Sequence, residues 1–172
     1  MLKDNRLQGE FDAQTKLLSE QVRRTMQDVF NDFNARDSLE KSGAAHAAAR
    51  KGIDVLHTGI ISLIDKLGWS ELSRKQCVYL EELGRDYLLK EKKFIINECV
   101  ARTGQPVAPY VEELINNILP DLEIMAAVHQ NRSKIRNSQL RAKARSIWPK
   151  IRPVLSHLLA LGLGLLLGKY LI

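Results

Sequence analysis

Residues Ile147 to Ile172 read IWPKIRPVLSHLLALGLGLLLGKYLI, and how they are read decides the fold. From Val154 to Ile172 the polar residues are Ser156, His157 and Lys169 alone. As a helix rising 1.5 Å per residue, that segment spans roughly 29 Å, close to the thickness of a hydrocarbon core. One reading is therefore a membrane helix at residues 153–172. The uninterrupted apolar run, Leu158 to Gly168, is shorter than a standard span, so a buried core helix or a signal-like segment stays open beside it. A further reading takes Arg152 and His157 as a functional pair.

What precedes the tail favours the membrane. After Glu123 there is no acidic residue, and Arg132, Lys134, Arg136, Arg141, Lys143, Arg145, Lys150, Arg152 and Lys169 supply 9 positive charges. The net charge of +6 thus leaves −3 on residues 1–123. Basic residues just before an apolar span follow the positive-inside rule, and Trp148 is an interfacial residue type. Lys150 and Arg152 join it at the expected interface, and Lys169 snorkels at the far end. The N-terminal part is then expected in the cytoplasm, held at the inner membrane. Within the tail Ser156, Ala160, Gly164 and Gly168 recur every fourth residue, a small-residue stripe that lets helices pack closely in lipid. Self-association is expected there, and His157 near one mouth of a helix ring would line a pore.

Upstream the pattern is helical throughout. With 5 Pro and 10 Gly the chain lacks the turn residues of a β-rich fold, so the class is all-α, an antiparallel helical bundle. Phe11, Leu18, Val22, Met26, Val29 and Phe33 mark one face of a first helix from Glu10 to about Phe33. D-S-L-E, residues 37–40, reads as a capping box for a second helix that runs to Leu67 and is stopped by Gly68. That helix opens with the small-residue run GAAHAAAR and continues with an apolar face from Ile53 to Leu67. A third helix is expected from Ser73 through Val100, ended by Thr103-Gly104. Pro109 suits the first turn of a short fourth helix, Pro120 is expected to separate it from the next, and that last helix runs from Asp121 to about Ile147. The chain divides into a bundle over 1–131, a basic arm over 132–152 and the tail over 153–172.

Several classes of function lose support. Cys77 and Cys99 have no C-x-x-C pairing and no His at ligand spacing, so neither a zinc site nor a disulfide framework is indicated, and both are expected in the core. No metal and no cofactor is expected. A reducing compartment fits two isolated thiols, and the charged N-terminus carries no apolar segment of a secretory signal. The basic arm lacks interleaved aromatics before Trp148, which weakens base stacking on single-stranded RNA. It remains suited to anionic lipid or a nucleic-acid backbone, as in a scaffold or adaptor, and also to a plain solvated helix face. His46 and His129 have no companions that suggest metal binding or catalysis.

Arg152 and His157 form an R-x4-H pair, and Arg50 and His57 repeat the theme with six residues between. Such spacing on a helical bundle resembles the motif of HEPN ribonucleases, where His moves protons and Arg stabilises charge developing on phosphorus without a metal. Active members place a polar residue after the Arg; here Pro153 and Lys51 follow. A small all-α chain with R-P-V-L-S-H near its end and one apolar segment resembles the membrane-associated, HEPN-like accessory proteins of type VI-B CRISPR loci. That resemblance implies an oligomeric membrane pore that strengthens defence by an RNA-guided effector, with the effector or RNA as further partners. The alternative it implies is a metal-independent ribonuclease with Arg152 and His157 as catalytic groups. In a helix, five positions separate two side chains by about 140°, so joint action of this pair requires a neighbouring subunit. Arg50 is expected to pair with Asp54, one turn on.

Overall fold

In the computed structural model, residues 4–36, 42–68 and 72–170 are described, with side chains other than those of residues 42, 146 and 148–170. They form four helices: α1 Asn5–Ala35, α2 Ser42–Gly68, α3 Arg74–Thr103 and α4 Ala108–Tyr170. All-α is thus correct for the described residues.

Local chemistry sets the ends. Asp4 caps α1 by accepting from the Leu7 amide at 3.1 Å, and this moves the start ahead of the expected Glu10 because Leu7 is itself a core residue. Ser73 and Gln76 form a full capping box on α3, and Gly104 ends that helix with φ 66°, a left-handed conformation that costs glycine nothing. Gln76 Nε2 also donates to Asp4 Oδ2, so one carboxylate joins the starts of α1 and α3. The expected capping box at 37–40 lies outside the described residues.

The expected break at Pro120 is not there: α4 continues through it. Proline deprives the Asn116 carbonyl of its intrahelical partner, but both residues are exposed, so water can satisfy that carbonyl. Ile115, Ile118, Leu122 and Ala126 meanwhile bury the opposite face on both sides of the proline. Core packing outweighs the local penalty.

Pairings fix the directions. Gly52 lies against Met26 and Gly59 against Leu18, so α1 and α2 are antiparallel. Arg85 pairs with Glu123 and Lys92 with Glu112, so α3 and α4 are antiparallel too. Ser19 meets Glu91 and Tyr79 meets Gln8, which makes α1 and α3 parallel neighbours. The small-residue run works as expected: Ala44, Ala45, Ala48 and Ala49 are fully buried, and Cys99 Sγ comes within 3.5 Å of the Ala45 carbonyl. At this density each lost methylene is felt. Phe30, rather than the half-buried Phe33, closes the end of the α1 face.

Two compact units divide the chain, Met1–Ser133 and Lys134–Ile172. The first holds the whole core just described. Among the described residues the second is the remainder of α4. Among the described residues no helix is long and apolar enough to cross a membrane; the membrane-helix expectation at 153–172 concerns side chains outside that set.

Candidate functional site

Trp148, Lys150, Arg152, Ser156, His157, Ala160, Gly164, Gly168 and Lys169 all belong to α4, and their side chains lie outside the described residues. The second Arg–His pair is described. Arg50 is exposed on α2, and among the described residues it forms no ion pair with Asp54. His57 turns instead to α4, with Nε2 2.9 Å from Asp121 Oδ2.

This contact is one end of a seam. Eight residues further along both helices, Asp65 Oδ1 lies 3.3 Å from His129 Nε2. His129, expected to have no companion that suggests metal or catalysis, has this single carboxylate as its neighbour. Because 57 pairs with 121 and 65 with 129, α2 and α4 run parallel here in constant register, and Ile61 and Met125 occupy the step between. Each helix contributes residues at i, i+4 and i+8, which an α-helix places along one slightly drifting stripe.

The two rungs differ in burial. At the first, the His57 and Asp121 side chains are 41% and 49% exposed, so the pair is screened and contributes at most about 1 kcal/mol. At the second, His129 is 3% exposed while Asp65 keeps contact with water. Burial holds the His129 imidazole below its ordinary pKa, with Arg132 adding to the effect, while Asp65 and the Gly68 backbone pull the other way. Gly68 matters here for space: a Cβ at this position would run into the His129 ring. The helix ends at Gly68, but the residue's observed contribution is room for the imidazole.

Between the rungs opens a groove of about 560 Å³, lined by His57, Thr58, Ile61, Ser62 and Asp65 of α2 and Asp121, Ile124 and Met125 of α4. Its floor is aliphatic and its ends are carboxylates, with two hydroxyls along one wall. His57 lines the groove with its Nε2 turned to the Asp121 carboxylate. Among the described residues no group of three or more His, Cys, Asp or Glu is placed to hold a metal ion.

A second polar cluster lies between α1 and α3. Ser19 donates to Glu91 Oε1 at 2.6 Å, and the Tyr87 hydroxyl meets both Ser19 and the Thr15 carbonyl. Burial pushes the Tyr87 phenol up to about 12. Nearby, Arg23 lies over Phe94 and Arg102 over Phe30, each arginine thereby covering the edge of the core.

The seam was missed in the sequence because each half looks ordinary alone. The signal was a complementary spacing, H-x3-I-x3-D at 57–65 and D-x3-M-x3-H at 121–129, the same three positions with the ionisable ends exchanged. Comparison with protein-family models, curated proteins and solved structures returned no match.

Proposed function

We propose that this chain is a membrane-associated, self-assembling accessory protein, with its helical bundle in the cytoplasm and its C-terminal tail as membrane and assembly element. The observation that carries this reading is the composition of α4. Beyond Glu123 it has no acid, it gathers 8 positive charges up to Arg152, and it then passes into the apolar stretch from Val154, in which Lys169 is the one further charge. That order, basic then apolar, is what an anionic cytoplasmic leaflet and a hydrocarbon core select. The small-residue stripe Ser156, Ala160, Gly164 and Gly168 supports self-association.

In this reading the resemblance to HEPN-like accessory proteins of type VI-B CRISPR loci supplies the wider role: a pore at the inner membrane that strengthens RNA-guided defence. Arg152 and His157 serve assembly or gating, since Pro153 departs from the nuclease pattern. Fractionation tests the membrane element. Full-length chain is expected in the membrane fraction after alkaline carbonate extraction, and a chain lacking 153–172 in the supernatant. Full-length chain in the supernatant without detergent sinks the proposal.

A further inference from the structure

We infer that the groove between α2 and α4 is the docking site for the basic segment 134–147 of α4 from a second copy of this chain. The inference rests on the self-assembly reading above, and it adds a contact made by the bundle and independent of the tail.

Two exposed surfaces on the same chain match in charge and in the spacing of their charges. The groove is closed at its ends by Asp65 and Asp121, and it opens onto Ile124, whose side chain is left 60% exposed. The segment 134–147 offers the converse. It contains no acid, and its basic side chains are exposed at Lys134, Arg141 and Arg145. Lys134, Arg141 and Arg145 stand 7 and 11 residues apart, which brings all three onto one stripe of a helix. Lys134 and Arg141 are separated along the axis by about 10 Å, and the two rungs holding Asp121 and Asp65 by about 12 Å. One basic group therefore reaches each carboxylate, while Asn137 and Ser138, which lie between them on that stripe, face the two hydroxyls of the groove wall.

A second copy is favoured as occupant by the charge division of the chain itself. Residues 1–123 carry −3 and the rest +9, so one copy attracts the next head to tail. The two surfaces are different, which makes the contact heterologous, and a heterologous contact closes into a ring or runs on as a filament. Exposed charge pairs of this kind weaken with salt, because the Debye length falls from about 10 Å at 0.1 M to about 3 Å at 1 M.

The test measures particle mass of purified full-length chain in detergent, as wild type and with charges reversed. Lys134→Glu with Arg141→Glu changes two exposed side chains and leaves the bundle core untouched. This variant is expected to raise the dissociation constant of the assembly at least tenfold, and wild-type assembly is expected to weaken in 0.5 M salt. Asp65→Lys with Asp121→Lys reverses the groove; mixing it with the reversed helix is expected to restore assembly that neither variant shows alone. A helix variant with wild-type mass and salt response overturns the inference. So does a mixture that fails to assemble although circular dichroism shows both chains folded. The two proposals fail separately. A chain that stays in the supernatant yet assembles by charge refutes the membrane reading alone, whereas a membrane-held chain whose mass ignores charge reversal refutes this one alone.

Discussion

His57 Nε2 lies 2.9 Å from Asp121 Oδ2, and two turns along the same pair of helices the residue types exchange places, with Asp65 on α2 and His129 on α4. The rungs look equivalent in sequence and are unequal in energy. His129 is enclosed, so His129→Ala leaves a cavity beside Gly68 and strips Asp65 of its partner, at a cost of about 2–3 kcal/mol. His57→Ala at the half-exposed rung costs under about 1 kcal/mol. Urea unfolding of the two variants checks this, and equal losses would contradict the burial difference.

Acid weakens the bundle through the same residue. Its imidazole titrates below the ordinary 6.5 in the folded chain and near 6.5 when unfolded, so the unfolded state takes up a proton first. That stability is complete above 6.5 and is lost as pH falls from there through the depressed folded value. His129→Gln should flatten this part of the pH dependence. A profile with an unchanged slope below 6.5 would assign it to other groups.

At high pH the sign is the reverse. The Tyr87 phenol is raised from 10.0 to about 12, so the unfolded chain loses its proton first and stability falls as pH rises across that interval. The loss is on the order of 2 kcal/mol. Tyr87→Phe, at a cost of about 1 kcal/mol at neutral pH for the lost hydrogen bonds, should remove the phenol's share of that decline and leave the share of the Cys99 thiol, which burial raises from 9.0 to about 11. Stability followed from pH 9 to 12 in both chains distinguishes them.

Glu91 is 1% exposed, and its Oε2 meets no hydrogen-bond partner among the described residues, while Ser19 serves Oε1. A buried carboxylate served on one oxygen is costly. Glu91→Gln keeps the shape and the Ser19 contact without the charge, and it should leave stability unchanged or raise it by about 1 kcal/mol. A drop of that size in the urea midpoint analysis would mean that Oε2 has a partner in solution.

The helices were legible because their signals are local. Apolar spacing marked Phe11, Leu18, Val22 and Met26 on α1 and Ile53 to Leu67 on α2, and Ser73 and Gly104 announced the two ends of α3. Pro120 misled because a local penalty was weighed without the packing of Ile118 and Leu122 on either side. The groove stayed hidden for a different reason: it depends on the register between helices 64 residues apart, which no single-segment pattern contains. His129 was passed over because its companion Asp65 is on another helix.

The central claim, a self-assembled membrane pore, is tested most directly by release of a trapped dye from vesicles of anionic lipid. Full-length chain added from detergent is expected to empty them, and Gly164→Ile with Gly168→Ile to release at least tenfold less by crowding the helix contact. Vesicles that stay sealed to wild-type chain, alongside RNA cut by the same preparation in the presence of a metal chelator, would contradict the account.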